Sequence, residues 1–327
     1  MCSKKKNLEG FVGDFKELMI QFVQLKQSLG FDYTTDAAIL KRFSIFTMKF
    51  AVKNHALTKE IVDAWTEKRP TEREATWKNR INNLRQFAKF LSELGYEVYI
   101  PVRRAKINRE SYVPHIFTPE QLRRFFAECG NIKPHPLSNK HLVLPAIYLL
   151  LYGCGLRISE AVALKLKDVN LKHGIITIQG SKLNKDRLAP MSPSLTKYLK
   201  TYFSRIHAAS TPGDYFFMKR DKTAIAPSTV YKNFRKILWR SGISHGGKGK
   251  GPRLHDFRHT FAVYSLNQMV RQKIELYCAL PILSTYLGHA SVEATERYVR
   301  LTTDVYPEIL NTVSRTCAYI FPEVNIK

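Results

Sequence analysis

Apolar residues recur at helical spacing through the first third of the chain. Phe11 to Leu29 sets Phe15, Leu18, Met19, Phe22, Val23 and Leu25 on one stripe, and Gly30 closes the run. Thr34 to Lys53 repeats the pattern through Ile39, Leu40, Phe43, Phe46 and Phe50. A shorter helix is expected from Thr58, a good N-cap, to Lys68, with Ile61, Val62 and Trp65 inward. A fourth is expected after Pro70, with Thr71 as its cap, running to Leu94 before Gly95. The period then dissolves between Tyr96 and Pro114, a basic, Pro-bounded stretch that reads as a linker.

Beyond it, Thr118-Pro119-Glu120 is a strong helix start, and helices are expected at Pro119–Glu128, Lys140–Tyr152 and Arg157–Leu166. Two short strands follow, Gly174–Gln179 and Arg187–Met191, joined by a polar turn bearing Lys182 and Lys185. The remainder reads as helical, broken at Pro212-Gly213 and between Gly242 and Pro252. With 327 residues the chain has room for two domains. The expected fold class is mainly α with a small antiparallel β-sheet, divided as 1–96, a linker 97–114, a second domain 115–300 and a tail 301–327.

Composition changes the picture in one respect. Lys plus Arg number 52 against 27 Asp plus Glu, a net charge of +25, and both halves share the excess. Such a chain suits a polyanionic partner, nucleic acid or an anionic membrane surface. The longest uncharged run, Leu142 to Leu156, holds Pro145 and is too short to span a bilayer, so no membrane role is expected. Cys2, Cys129, Cys154, Cys278 and Cys317 form no C-x-x-C pair, which fits a reducing, cytoplasmic setting. The basic residues Arg73, Lys78, Arg80 and Arg85 of the fourth helix, Arg103 and Arg104 of the linker, Lys185 of the turn, and Lys248, Lys250 and Arg253 of the late loop are candidate phosphate contacts.

Four local features of the second domain carry chemistry. Arg157 and Glu160 share one helix face; Lys182 sits in the hairpin turn; His255 and Arg258 lie side by side in LHDFRH; and Leu287-Gly288-His289 precedes a segment holding Tyr298. Singly each has a plain structural explanation: a surface ion pair, a solvated lysine, a turn histidine, a core tyrosine. Together they are the parts for breaking a phosphodiester without metal. Guanidinium forks bind the phosphate bidentately, a lysine can protonate the leaving oxygen, imidazoles can take the phenol proton, and a tyrosine can attack.

In these residues the chain resembles the tyrosine recombinases, or phage-integrase-type site-specific recombinases. "GCGLRISEAVALKLKDVNL" looks like their first arginine box, "IITIQGSKLNKDRLAPMSP" like the lysine-bearing β-hairpin, "LHDFRHTFA" like the H-x-x-R box and "YLGHASVEATERYVRL" like the final box. The resemblance implies a helical core-binding domain followed by an integrase-type catalytic domain, clamping duplex DNA. It implies Tyr298 as nucleophile, Arg157, Arg258 and His289 as stabilisers of the transition state, His255 as general base, Lys182 as general acid and Glu160 as supporting acid. It also implies cleavage and rejoining through a 3′-phosphotyrosyl link and a Holliday junction. No cofactor or metal is expected. The partners implied are double-stranded recombination sites, a homotetramer on two such sites and accessory DNA-bending proteins.

The segment between Arg258 and His289 is longer than in compact members, with Ile274 to Pro281 filling it. A relaxing topoisomerase and a non-catalytic DNA-binding protein of the same fold are the alternatives. HDFRH also copies a zinc-protease helix superficially, but Asp256 replaces the required glutamate and Arg258 would set a cation beside the metal. The Gly242–Gly249 stretch falls short of a P-loop because Gly249 stands where Ser or Thr is needed.

Overall fold

The computed structural model describes residues 8–102, 113–179, 186–244, 246, 251–288, 295 and 298. The chain divides into two compact units, residues 1–111 and 112–327. The first contains α1 (Lys16–Ser28), α2 (Thr34–Thr47), α3 (Lys59–Thr66) and α4 (Glu74–Glu93). Their inward stripes meet in one core that holds Phe15, Met19, Phe22, Phe43, Trp65, Phe87 and Leu91. The aromatic rings pack edge to face, Phe22 against Phe87 at 5.6 Å between centroids. Each such fully buried ring contributes on the order of 1.5–3 kcal/mol.

The boundaries differ from expectation where tertiary contacts intervene. α1 starts later because Gly10 and Gly13 turn the chain at positive φ, although Phe15 is buried as anticipated and Phe11 is buried beside it. Thr58 caps α3 as expected, its Oγ1 accepting from Ile61 N–H. Thr71 does not cap α4, which begins at Glu74 after the N-cap residue Arg73. Glu72 is instead held back in a turn, where its carboxylate reaches the buried Arg80. Residues 97–100, read as linker, join the first unit: Leu57 N–H bonds to Glu97 O, Tyr99 N–H bonds to Leu57 O, and Val98, Tyr99 and Ile100 pack on the core.

The second unit contains α5 (Pro119–Gly130), α6 (Lys140–Gly153), α7 (Ile158–Ala163), a 3-10 turn at Leu166–Asp168, strands β1 (Val169–Asn170), β2 (Ile175–Ile178) and β3 (Arg187–Pro190), and helices α8 (Pro193–Ile206), α9 (Pro227–Arg240), α10 (Asp256–Arg271) and α11 (Leu276–Leu287). The sheet is antiparallel in the order β1-β2-β3, with Ile176 opposite both Val169 and Ala189, and Ile178 opposite Arg187. Thr118 and Gln121 close a capping box at the start of α5. The uncharged run becomes α6, the buried central helix. Among the described residues no helix is long and apolar enough to cross a membrane.

Three expectations need correcting here. The helix expected to run from Arg157 to Leu166 stops at Ala163, because Leu164 O and Leu166 N–H are taken by Phe216 and Asp214 of a distant loop. A third strand, β1, was not foreseen, since two residues carry no periodicity. Residues 207–226 are not helical either, as the chain doubles back there through the Met218–Ala224 bridge.

Two packings position the site. Phe257, fully buried, touches Phe117, Phe125, Phe126 and Phe234, seating the first turn of α10 on the core. The long stretch between Arg258 and His289 is the rest of α10 plus α11. These join through Ala262, Val263, Leu266, Ala279, Leu283 and Leu287.

Candidate active site

Arg157 is the N-cap residue of α7 and Glu160 sits at its third position. One carboxylate oxygen of Glu160 accepts the backbone N–H of Arg157 at 2.8 Å. The other accepts Arg157 Nη1 at 2.7 Å. Arg187, at the start of β3, donates Nη1 and Nη2 to the same carboxylate at 3.0 and 2.8 Å, and its Nε donates to Tyr286 O at 3.0 Å. Burial alone would raise the Glu160 pKa, but the hydrogen bonds from Arg187 and Arg157 outweigh it and bring it down to about 2. The group is an anion at any physiological pH.

Arg258 enters from the first turn of α10 and is 1% exposed. Its Nη1 donates to Gly155 O at 2.8 Å and its Nη2 to Leu287 O at 2.6 Å. Gly155 is required there: its φ is +58°, and a Cβ would stand 2.6 Å from the Phe261 ring. Burial, and then the nearby Arg157 cation, lower the Arg258 pKa to about 10, so it stays charged at neutral pH. Arg157 Nη2 reaches Gly288 O at 3.3 Å, and its side chain keeps 28% exposure. Two guanidiniums thus lie close enough to repel one another, a geometry that an intervening anion relieves.

The histidines and the phenol gather along α10. His255 and His259 have ring centroids 4.8 Å apart, and His259 lies 5.6 Å from Tyr298. Tyr298 is 2% exposed, packed with Ala262, Val263, Leu266, Leu283 and Leu287, and within electrostatic reach of Arg258. Loss of hydration, and then the Arg258 and Arg157 cations, hold the His255 imidazole down at about 4. The residue itself remains exposed, so the two cations are the firmer cause. At neutral pH this ring is an acceptor.

Arg157, Glu160, His255, Arg258 and Tyr298, singled out in the sequence, are therefore brought to one region of the second unit. Lys182 and His289 lie outside the described residues, as do Arg103, Arg104, Lys185, Lys248 and Lys250. Of the other candidate phosphate contacts, Arg253 is exposed on the rim of a recess of about 440 Å³ that His255, Tyr231 and Arg235 also line. Arg73 is exposed, and Lys78 lies 3.6 Å from Glu74. Arg85 donates to Pro101 O.

Arg80 corrects the expectation of a solvated stripe. It is 5% exposed, its guanidinium pairs with Glu72 at 2.6 Å, donates to Glu67 O and lies over the Trp65 ring. It is spent on the interior and does not face a phosphate.

Sequence reasoning missed Arg187, since a charged residue opening a short strand gives no periodic signal of burial. It also passed over the face of α9, where Trp239 is 73% exposed amid Arg235, Lys236 and Arg240. A tryptophan at helical spacing reads as core, whereas an exposed one among cations suits a nucleic-acid surface. Among the described residues no group of three or more His, Cys, Asp or Glu could hold a metal ion.

A mainly helical domain that brings two guanidiniums, two imidazoles and a tyrosine into one region holds the parts for phosphoryl-ester transfer. The chain belongs to the phage integrase family, whose family model matches residues 115–304. It is a DNA strand-transfer enzyme of the tyrosine recombinase type, working in site-specific recombination. It is 27% identical over 309 residues to y4rB of Sinorhizobium fredii, a protein named among the integrases and recombinases, covering 92% of this chain and 97% of that one. It is 32% identical over 159 residues to tyrosine recombinase XerA of Pyrococcus furiosus, covering 48% of this chain and 49% of the relative. Solved structures share the fold. A lambda integrase dimer bound to a core site aligns with a TM-score of 0.61 at 14% identity, over 86% of this chain and 94% of that one. XerH recombinase bound to a palindromic difH substrate aligns with 0.58 at 20% identity, over 86% and 78%.

Proposed function

We propose that Tyr298 attacks a DNA phosphate, forming a 3′-phosphotyrosyl bond and releasing a 5′-hydroxyl. The O–P bond from the phenol forms as the P–O5′ bond breaks. The phenol proton passes to His255, and Lys182 supplies a proton to the departing oxygen. Arg157, Arg258 and His289 balance charge on the pentavalent phosphorus. One observation carries the reading: two mutually repelling guanidiniums and the Tyr298 phenol come together around α10, although Arg157 and Tyr298 are far apart in the chain. A phenol with an ordinary pKa of about 10 attacks only with a base and nearby positive charge. The Arg258 cation lies within electrostatic reach of Tyr298, and the His259 ring beside Tyr298 stands 4.8 Å from the His255 ring.

Strand exchange follows when the 5′-hydroxyl of a partner duplex reverses the step, giving a Holliday junction without ATP. In this scheme a homotetramer holds two duplex sites, and residues 301–327 dock on a neighbouring subunit. Arg73, Lys78, Arg85, Arg253 and the α9 face supply phosphate contacts. The test is covalent trapping on nicked duplexes tiled across the genomic DNA flanking the gene. Wild type should form an SDS-resistant adduct on a duplex it binds, and Tyr298→Phe should not. An adduct with the Phe variant would move the nucleophile elsewhere.

A further inference from the structure

Two arginines on one buried carboxylate are more than charge balance requires. Arg157 alone would neutralise Glu160, and a second buried guanidinium carries a desolvation penalty of several kcal/mol that only well-made hydrogen bonds offset. Arg187 is nonetheless there, its side chain 8% exposed, with one donor on Tyr286 O and both fork donors on Glu160. It also lies against the backbone of Gly288, where a Cβ would stand 2.9 Å from its Nη1. That glycine is the left-handed C-cap of α11, and its carbonyl accepts from Arg157. Arg187 therefore fixes both partners of the Arg157 fork, the Glu160 carboxylate directly and the Gly288 carbonyl through the Tyr286–Gly288 turn.

The two cations divide the labour by exposure. Arg187 turns its guanidinium to partners inside the protein and is 8% exposed, while the Arg157 side chain keeps 28% exposure. A bidentate grip from one side holds a carboxylate against rotation about its own bond, so the other side presents a fixed surface. Arg157, hydrogen-bonded to that fixed surface, can hold a single aim.

We infer that Arg187 is a positioning residue for strand transfer: it locks Glu160 and the Gly288 turn so that Arg157 meets the scissile phosphate in one orientation. This inference rests on the function proposed above, with Arg157 as a phosphate ligand.

The test compares wild type, Arg187→Gln and Arg187→Lys for the rate of adduct formation on two duplexes. One carries the ordinary scissile phosphate, the other a methylphosphonate, which lacks one anionic oxygen and so leans less on the arginine. Misplacing a reacting partner by about 1 Å costs roughly 100-fold, so Arg187→Gln should slow trapping by about that factor on the phosphate duplex. On the methylphosphonate its deficit relative to wild type should shrink to under about 10-fold, because less of the barrier there depends on a well-aimed guanidinium. Arg187→Lys, which lacks the planar fork, should not restore the rate.

Equal deficits on both duplexes would mean Arg187 merely holds the fold together, and no deficit would mean that it does nothing for the reaction; either overturns the inference. Should Arg187→Gln fail to fold, Glu160→Gln breaks the same linkage while keeping the side chain's volume and must show the same substrate dependence. Where both fold, the double variant should be no slower than the slower single one, since coupled residues are not additive. A wild type that forms no adduct on DNA it binds would sink the proposed function itself. A wild type that reacts, matched by Arg187→Gln, sinks only the role of Arg187.

Discussion

The protein builds an arginine–glutamate site in each of its units, and the two differ in stoichiometry. In the first unit Arg80 meets Glu72 one to one, and the remaining contacts of that guanidinium go to the Glu67 carbonyl and the Trp65 ring. The Arg80 hydrogen bond is the main reason the Glu72 carboxyl titrates below its usual range. Nothing in that pairing asks for another anion. In the second unit Arg157 and Arg187 share Glu160 while, among the described residues, Arg258 donates to the Gly155 and Leu287 carbonyls. Its lowered pKa records burial first and then the repulsion of Arg157, which Tyr298 and Glu160 only partly offset. Equal numbers of opposite charges make a staple; a surplus of fixed cations leaves an added anion something to balance.

The comparison can be broken most sharply at the staple. Arg80→Ala leaves the Glu72 carboxylate buried without its partner, which costs about 3–5 kcal/mol of stability. Denaturant unfolding of the full chain measures it, and a cost under about 1 kcal/mol would show that the pair is as idle as an exposed one. Arg157→Lys should do the reverse, lowering the adduct-forming rate by roughly 10²–10³-fold. Because Arg157 is partly exposed, its stability should change by no more than about 1 kcal/mol. A variant that unfolds easily yet still reacts would exchange the two roles.

The smallest effect concerns His255, whose folded pKa of about 4 lies below the value of about 6.5 for an unfolded chain. The unfolded state therefore binds its proton first, and this residue's contribution to stability is lost as pH falls from about 6.5 to about 4. Thermal melting of wild type and His255→Gln across that window checks the sign. A wild type that gains stability relative to the variant on acidification would remove the two-cation field from the account.

Much of this was readable beforehand. The helices with clear stripes, α1 to α6, lie on the stretches their apolar spacing marked, with shifted ends in α1, α2 and α4, and the Thr58 and Thr118 caps hold their helices as their side chains suggest. Arg157, Glu160, His255 and Arg258 stood out because short local boxes carry them. Arg80 did not declare itself as structural, since its burial depends on Trp65 and Glu72, which α3 and the turn before α4 bring to it. Arg187 was invisible for the same reason.

The order of residues along the chain was sufficient for the helical periods, the surplus of positive charge and the identity of the chemical groups. These are local or additive properties, fixed by spacing and by counting. Which arginine is consumed and which is left open was decided only when the chain folded. That outcome depends on how many carboxylates and carbonyls reach each guanidinium: Glu160 and Arg187 lie 27 positions apart and Arg258 and Gly155 lie 103 apart, separations that no window the length of a helix or hairpin spans.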